Sequence, residues 1–341
     1  MKAALYYKGE KALRIEEVPT PEPKAGEVLI KVAACGVCHT DLHYLDHGVP
    51  TFKEPPMIPG HEISGVIEKL GEGITKWNEG DHVIIPAVLT CGTCEACRRG
   101  RENICQNMQM VGNNINGGYA EYIAVPAKDL IPLPKHLNIQ NCSIIADALS
   151  TPYHAVVNRG EVKPGQVVSV FGCGGVGINV VQFAALAGAK VIAVDISDEK
   201  LEIAKKFGAY ATYNAQKEEK IDKVIRKATG GCDIAFEVIG NPKVMLQAMS
   251  TLKTGGRFVM VGYTAESVAL PAARIMYREM DIRGSLGCRP VDYNMIVSLV
   301  DQGSIALEPL ISNRYPIDDV NKAFDDIRDG KPIIRNLMVN S

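Results

Sequence analysis

The segment VVSVFGCGGVG, residues 167–177, decides the fold of this chain of 341 residues. Its apolar start, VVSVF, is typical of a buried strand, and a helix-forming sequence rich in alanine and valine follows the segment at once. Between them, Gly172, Gly174 and Gly177 have the spacing of a dinucleotide-binding turn. The first glycine permits the tight turn, the second lets the backbone approach a pyrophosphate, and the third lets the helix pack against the strand. The segment therefore predicts the start of a nucleotide-binding sheet.

Strand and helix patterns alternate along this part of the chain. Strands that alternate with helices predict a parallel, doubly wound sheet of the Rossmann type. The predicted strands are 167–171, 190–195, 234–237 and 256–261, and the predicted helices are 176–187, 199–207 and 242–252.

The sequence on either side of this region has a different character. Before residue 150, short apolar runs alternate with glycine and proline, which predicts a β-rich domain. After residue 287, two helical patterns precede a closing strand at 336–339. We therefore expect an α/β protein with a β-rich domain over 1–150, the Rossmann domain over 151–286, and a C-terminal segment over 287–341 that returns to the first domain.

Composition limits the functions open to the chain. The net charge is −2, so neither a basic nucleic-acid surface nor an acidic tail is expected. Glycines interrupt the longest apolar stretches, and we expect neither a membrane span nor a secretory signal. Six of the ten cysteines lie at metal-ligand spacing, which favours metal binding over disulfides and suits a reducing, cytoplasmic location.

An acidic residue ends the second strand of the predicted sheet. Asp195 follows Gly172 by 23 residues, close to the offset of about 20 that is typical of a ribose-binding acid. A carboxylate there accepts hydrogen bonds from the ribose hydroxyls and repels a 2′-phosphate, so NAD is favoured over NADP. Gly175 and Val176 complete the loop that would hold the pyrophosphate. The alternative is an unliganded glycine-rich turn, with Asp195 as a cap at the end of the strand.

Four cysteines are close together in a lobe over about 88–108. Cys91, Cys94, Cys97 and Cys105 have the spacing C-x2-C-x2-C-x7-C. Four thiolates close a tetrahedral zinc site without an open position, so we expect a structural zinc there. There are two alternatives to a structural zinc. One is an iron–sulfur cluster, and the other is a set of free surface cysteines.

Two further motifs precede the lobe: CGVCHTDLH at 35–43 and GHE at 60–62. The chain resembles the zinc-dependent medium-chain alcohol dehydrogenases of the medium-chain dehydrogenase/reductase superfamily. The resemblance rests on these two motifs, the cysteine lobe and the glycine turn, and it covers essentially the whole chain. The resemblance implies a GroES-like catalytic domain, a Rossmann NAD-binding domain, two zinc ions per chain, and interconversion of an alcohol and an aldehyde or ketone. It also implies a homodimer or homotetramer.

By this resemblance, Cys38 and His61 are ligands of the catalytic zinc. Asp147 stands where many members have a cysteine as the third ligand, and an acid in its place keeps the charge of the site. A carboxylate is a harder ligand than a thiolate, so the ion would be held less tightly. Glu62 or water could complete the site instead, and Cys35 with Cys38 could form a redox pair.

The resemblance also implies a proton path and contacts to the cofactor. Thr40 would take the proton of the substrate and pass it to the 2′-hydroxyl of the nicotinamide ribose, and His43 would release it near solvent. The alternative for His43 is a solvated helix face, because His39, His43 and His47 are spaced four residues apart. The implied cofactor contacts are His39 and Arg335 to the pyrophosphate, Lys200 to the ribose and Thr151 to the nicotinamide.

The expected substrate pocket includes Ala87, Asn114 and Leu286. Ala87 stands where several members of the family have a bulky aromatic residue, so we expect a substrate larger than ethanol. A polyol, threonine-type or cyclic hydroxyacyl-CoA dehydrogenase on the same scaffold is the alternative. A zinc-free quinone or enoyl reductase would lack Cys38 and His61, and a non-catalytic nucleotide-binding protein is the most remote alternative.

Overall fold

The structure is a computed structural model that describes residues 1–331 and 334–340. Residues 332, 333 and 341 of the predicted C-terminal segment lie outside the described residues. Within the described part of the chain, no helix is long and apolar enough to cross a lipid bilayer.

The chain forms two compact units. Unit 1 is Met1–Ser150 together with Gly287–Ser341, and unit 2 is Thr151–Leu286. The assignment of 1–150 as the catalytic domain, 151–286 as the NAD-binding domain and 287–341 as a segment of the catalytic domain stays a prediction.

Strands and helices are numbered here in chain order over the described residues. The strands are β1 (Lys2–Leu5), β2 (Arg14–Glu17), β3 (Glu27–Val37), β4 (Glu62–Leu70), β5 (His82–Ile85), β6 (Val88–Leu89), β7 (Gln109–Met110), β8 (Tyr122–Pro126), β9 (Ile131–Pro132), β10 (Val167–Phe171), β11 (Lys190–Asp195), β12 (Ala209–Asn214), β13 (Cys232–Glu237), β14 (Leu252–Met260), β15 (Asp281–Gly284), β16 (Ile311–Pro316) and β17 (Arg335–Val339). The helices are α1 (His39–Leu45), α2 (Glu95–Arg98), α3 (Ser150–Tyr153), α4 (Gly177–Leu186), α5 (Asp198–Lys206), α6 (Ile221–Thr229), α7 (Pro242–Thr251), α8 (Ala272–Tyr277), α9 (Pro290–Asp301) and α10 (Val320–Arg328).

Unit 2 contains a six-stranded sheet in the order β12-β11-β10-β13-β14-β15, and every neighbouring pair is parallel. This is the strand order of a doubly wound Rossmann sheet, so the fold predicted for this region is confirmed. Phe171, Phe236 and Phe258 come from three neighbouring strands and are buried in the core. Because the strand order reverses beside β10, ligand binding is expected at the carboxyl end of that strand.

The sequence patterns miss four elements of unit 2, namely β12, α6, α8 and β15. β15 is a short edge strand of sequence DIRG, and a single apolar residue produces no period-two pattern. β12 is mostly half-exposed and mixes alanine, threonine and tyrosine. For α6 a signal was present, because Ile221 and Ile225 are both buried and lie one helical turn apart.

Strand β3 organises the sheet of unit 1. The order is β16-β17-β3-β4-β5-β9, and β8 also pairs with β3. β3 is antiparallel to β4, β8 and β17, and its Val28, Ile30 and Val32 are buried in the core of the unit. The predicted β-rich fold is therefore confirmed. β3 also extends to Val37, beyond the run of residues that the apolar pattern marks as a strand.

Candidate metal centre and nucleotide site

Two strand ends bring the first two metal-ligand candidates together. β3 ends at Val37, directly before Cys38, and β4 begins at Glu62, directly after His61. The register of these antiparallel strands pairs Gly36 with Glu62, so Cys38 and His61 lie at the same end of the pair. A Cβ at position 36 would lie 1.8 Å from Oε2 of Glu62, so glycine is required for the close approach.

Asp147 reaches the same point from a different segment. It follows a 3₁₀ helix whose last carbonyl accepts hydrogen bonds from the hydroxyls of Tyr293 (2.7 Å) and Ser150 (2.9 Å). Oδ2 of Asp147 lies 3.6 Å from Nε2 of His61 and 3.9 Å from Sγ of Cys38. The structure therefore brings the three predicted ligands together.

This donor set suits a zinc ion. Cys38, His61, Glu62 and Asp147 each offer one ligand atom, and these atoms all lie within 4.8 Å of one another. Thiolate, imidazole and carboxylate are the usual zinc donors, and in a tetrahedral site with bonds of about 2.0–2.3 Å the donor atoms lie roughly 3.3–3.8 Å apart. The separations measured from Asp147 are close to this range.

The charge around His61 also favours a cation. Burial lowers the pKa of His61, but the neighbouring oxygens of Asp147 and Asp41 and the sulfur of Cys38 outweigh burial and hold the pKa well above its ordinary value. The pocket thus stabilises positive charge at the ring nitrogen that faces Asp147. A zinc ion in place of that proton would satisfy the same anionic groups, so the residues fit the metal.

Glu62 and Arg335 form a buried ion pair beside these ligands. Nη2 of Arg335 lies 3.3 Å from Oε1 of Glu62, and the two residues are 4% and 0% exposed. Arg335 also donates a hydrogen bond of 3.1 Å to the carbonyl of Val37. Burial raises the pKa of Glu62, and the guanidinium opposes that rise. Glu62 is thus held next to the site by a cation, and its role as a metal ligand stays a prediction.

Asp41 supports His61 from the side opposite the other donors. Its Oδ1 lies 3.7 Å from Nδ1 of His61, while its Oδ2 accepts hydrogen bonds from the Tyr119 hydroxyl and the Cys38 N–H. All of these groups are buried. A carboxylate at Nδ1 favours the tautomer that leaves Nε2 free to bind a metal.

The proposed proton-path residues lie on α1, directly after Cys38. Oγ1 of Thr40 is 3.5 Å from Sγ of Cys38. His43 is half-buried, and its Nδ1 lies 3.1 Å from Nδ1 of His47. Burial, together with the neighbouring His39 and His47 rings, lowers the pKa of His43, so its imidazole is neutral and able to accept a proton near pH 7. The relay itself stays a prediction.

The alternative redox pair receives no support. All ten cysteines are free thiols, and Cys35 is completely buried in β3. Burial raises the pKa of the Cys35 thiol well above its ordinary value. A buried thiol with a raised pKa is a poor nucleophile, so we assign Cys35 to the core.

The four cysteines of the lobe converge on one point. Sγ–Sγ distances are 3.4 Å for Cys91–Cys105, 3.5 Å for Cys94–Cys97, 3.8 Å for Cys94–Cys105 and 3.9 Å for Cys91–Cys97. Zinc–sulfur bonds of about 2.3 Å in a tetrahedron give sulfur–sulfur edges of about 3.8 Å. The backbone N–H groups of Thr93 and Cys94 donate to Sγ of Cys91 and lower its pKa. The cluster therefore fits one zinc ion and is too tight for an iron–sulfur cluster.

The glycine-rich loop joins β10 to α4 in the predicted context. Gly172 has a φ of 97°, in the left-handed region, and a Cβ at Gly177 would lie 1.8 Å from the Gly172 carbonyl oxygen. A Cβ at Gly174 would meet no atom of the described residues within 4 Å. Packing therefore explains two of the glycines, and open space beside the backbone at Gly174 fits a pyrophosphate.

Asp195 ends β11 beside this loop. Its Oδ2 accepts a hydrogen bond of 2.7 Å from the N–H of Cys173, and its Oδ1 accepts bonds of 2.8 and 3.0 Å from Ile196 and Ser197. A carboxylate has about four acceptor sites, so capacity remains for a ribose hydroxyl. The three contacts fix the carboxylate next to the loop, and its choice of NAD over NADP stays a prediction.

The other predicted cofactor contacts are distributed over both units. His39 is exposed at the start of α1. In unit 2, Thr151 and Lys200 are half-buried, and the N–H of Lys200 donates to the Ser197 hydroxyl at the start of α5. Arg335 is buried against Glu62, so the structure gives it a role at the metal-ligand cluster, and its contact with a pyrophosphate stays a prediction.

Two of the three predicted substrate residues lie near one another in unit 1. The carbonyl of Ala87 accepts a hydrogen bond of 3.0 Å from the Val111 N–H, and Oδ1 of Asn114 accepts one of 2.9 Å from the Met110 N–H. Both residues therefore flank the β6–β7 ladder. Leu286 is the last residue of unit 2 and is half exposed. Contact of these three residues with a substrate stays a prediction.

Sequence reasoning missed two tyrosines that support the metal-ligand candidates and the residue that pairs with Glu62. The buried hydroxyl of Tyr119 donates to Asp41, which faces His61, and that of Tyr293 donates to the carbonyl of Ala146, directly before Asp147. An isolated tyrosine has no motif or spacing that indicates this role. The pairing of Glu62 with Arg335 depends on β17 lying beside β3, which a single sequence does not reveal.

Comparison with known proteins agrees with this geometry. Residues 24–135 match the family described as the alcohol dehydrogenase GroES-like domain, and residues 175–302 match the zinc-binding dehydrogenase family. An alcohol dehydrogenase of Geobacillus stearothermophilus is 35% identical over 97% of this chain and 96% of its own length. D-xylulose reductase A of Aspergillus oryzae is 33% identical over 94% of this chain and 92% of its own. The alcohol dehydrogenase from the hyperthermophilic archaeon Aeropyrum pernix, whose crystal structure is known, shares 31% sequence identity with this chain. The two structures align over 100% of both chains with a TM-score of 0.92.

The chain therefore belongs to the zinc-dependent medium-chain alcohol dehydrogenase family. The predicted family, the GroES-like and Rossmann fold, and the class of zinc- and NAD-linked alcohol–carbonyl oxidoreductases are confirmed.

Proposed function

We propose that this protein oxidises an alcohol to an aldehyde or ketone, and catalyses the reverse reaction, with a catalytic zinc held by Cys38, His61 and Asp147. The observation that carries the proposal is the convergence of a thiol, an imidazole and a carboxylate from three chain segments. A non-catalytic nucleotide-binding protein would have no use for these groups, because burying ionisable side chains costs free energy.

The zinc, when bound, lowers the pKa of an alcohol or polarises a carbonyl. Cys38 and Asp147 supply the negative charge that balances the ion. Asp41 holds the His61 ring in the orientation that presents Nε2. Arg335 keeps the Glu62 carboxylate close to the ligands without leaving that charge unpaired.

A proton must leave the alcohol during oxidation. We assign its removal to Thr40, whose hydroxyl lies 3.5 Å from Sγ of Cys38. His43 then carries the proton toward solvent, and its lowered pKa keeps the imidazole neutral and able to accept. In this path Thr40 is the first group to receive the proton, and His43 releases it to solvent.

NAD, when bound, accepts the hydride from the alcohol carbon. Residues 172–177 would hold its pyrophosphate at the start of α4, and Asp195 would accept hydrogen bonds from the adenosine ribose. Further contacts proposed for the same cofactor are His39, Arg335, Lys200 and Thr151.

A secondary alcohol is the substrate class that we favour. Ala87 leaves room where a large side chain would restrict the pocket, and Asn114 adds a polar group nearby. A third argument is that position 147 carries a carboxylate, where many members of the family have a cysteine. The 33% identity to D-xylulose reductase A supports polyol dehydrogenation as the second candidate function.

We also propose a homodimer or homotetramer, which rests on membership of the family. A cytoplasmic location is supported by the ten unpaired cysteines, because oxidising compartments favour disulfides.

The experiment is a screen of primary, secondary, cyclic and polyol alcohols with NAD or NADP, run on protein whose zinc content is measured. The proposal expects two zinc ions per chain and NADH formation with at least one alcohol class. A protein with two zinc ions, bound NAD and no turnover of any alcohol or carbonyl would contradict it.

A further inference from the structure

A row of three histidines lies outside the proposed zinc ligands. His39, His43 and His47 follow one another at intervals of four residues along α1 and the turn after it. The ring centroids are 5.4 Å apart for the first pair and 5.2 Å apart for the second. His39 and His47 are exposed and His43 is half-buried, so an ion can reach the row from solvent.

The second pair has the geometry of a chelating site. Nδ1 of His43 and Nδ1 of His47 are 3.1 Å apart. Two imidazole nitrogens on one ion, with bonds of about 2.0–2.1 Å, lie roughly 2.9 Å apart at a right angle and roughly 3.3 Å apart at the tetrahedral angle. The observed distance falls between these values. Histidines at i and i+4 are also a spacing by which proteins bind zinc.

No acid on the same segment serves as a third ligand. Asp46 lies between the two histidines in sequence, but its two oxygens accept hydrogen bonds of 2.9 Å from the Arg328 guanidinium. Among the described residues, two clusters offer three or more metal ligands. One is Cys38, His61, Glu62 and Asp147, and the other is the cysteine lobe. The pair is therefore a two-ligand site whose other positions would be filled by solvent.

We infer that His43 and His47 form a third metal site, which takes a borderline divalent ion such as Zn²⁺, Ni²⁺ or Cu²⁺ on their two Nδ1 atoms. An imidazole that passes a proton along uses both ring nitrogens in turn, and a metal on Nδ1 of His43 removes one of them. Excess metal at this site therefore inhibits alcohol oxidation. This inhibitory part rests on the proposed function.

The test is a calorimetric titration of Zn²⁺ into enzyme without an affinity tag that already holds two zinc ions. The wild type and a matched control, His136→Gln, are expected to bind one further ion. His136 is an exposed histidine paired with Asp301, far along the chain from α1. His47→Gln should keep two zinc ions and bind the third about tenfold more weakly or not at all.

The same three proteins are then assayed for alcohol oxidation as Zn²⁺ is added. Each protein is compared with its own rate without added metal, because the His47 ring also contributes to the lowered pKa of His43. Among the three proteins, His47→Gln alone should resist inhibition by added Zn²⁺. A third ion bound equally by His47→Gln overturns the site. A third ion that depends on His47 but leaves the rate unchanged overturns the inhibitory part. Failure of the proposed function would look different, because the enzyme with two zinc ions would then not oxidise alcohols before any metal is added.

Discussion

The Tyr119 hydroxyl donates a hydrogen bond of 2.7 Å to Oδ2 of Asp41, the carboxylate that faces Nδ1 of His61. Tyr119 is completely buried, and burial raises its pKa well above the ordinary value, so the phenol remains a donor at neutral pH. Asp41 in turn lies beside a proposed zinc ligand. The contact therefore links the packing of unit 1 to the orientation of the metal site.

Tyr119→Phe should weaken the catalytic zinc, because Asp41 loses one of the donors that hold it. Loss of such an outer partner lowers metal affinity about 10- to 100-fold. The measurement is the rate of zinc transfer to a chelator, with Tyr6→Phe as the control. Tyr6 is also buried, but its hydroxyl bonds to the Tyr44 carbonyl. Equal zinc loss from both variants would mean that the effect is general destabilisation.

Asp147→Ala should lose the catalytic zinc selectively and retain the zinc of the cysteine lobe. Asp147→Cys should keep both, since a thiolate is also anionic and is a softer zinc donor. Metal analysis of the purified variants distinguishes the outcomes. Two zinc ions at full occupancy in Asp147→Ala would assign the third ligand to Glu62 or water.

Cys97→Ser should lose the lobe zinc and melt at a lower temperature, while activity per folded molecule changes little. A structural zinc contributes folding free energy, so its loss should cost several kcal/mol. Cys142→Ser is a useful control, because Cys142 is a buried cysteine outside both clusters. Unchanged zinc content in Cys97→Ser would contradict the structural-zinc assignment.

Asp195→Gly combined with Ile196→Arg should shift cofactor preference from NAD toward NADP. The change removes the charge that repels a 2′-phosphate and adds one that attracts it at an exposed position. The ratio of kcat/KM for the two cofactors is the measurement. Wild-type enzyme that already prefers NADP would show that Asp195 does not select the cofactor.

Local patterns predicted much of this fold and of its candidate site. The glycine turn, the cysteine lobe and Cys38 with His61 are visible because each depends on short-range spacing. The sequence does not show why these residues meet, because that depends on the register that pairs Gly36 with Glu62. It also does not show the Glu62–Arg335 pair, since β17 comes from the far end of the chain. β15 was missed because a short, polar edge strand carries no hydrophobic period.

The proton path predicts a pH-dependent defect. Because the pKa of His43 is lowered, its imidazole is protonated only below its ordinary range, and wild-type oxidation should decline as pH falls through that lowered pKa. His43→Gln should be slower by about 10- to 100-fold near neutral pH, and the deficit should shrink at high pH or with added imidazole. Thr40→Ala should be slower still, since Thr40 acts on the substrate itself. An unaltered pH profile in His43→Gln would mean that His43 takes no part in the proton path and only lies on a solvated face of α1.

The central claim is that alcohol oxidation depends on a zinc ion held by Cys38, His61 and Asp147. The most direct test is the rate of NADH formation measured against the occupancy of this site, as zinc is removed and then restored in protein whose lobe zinc remains bound. The account predicts that the rate falls in proportion to the occupancy and returns with added zinc, whereas Asp147→Ala stays slow. A full rate in protein that holds only the lobe zinc would contradict it.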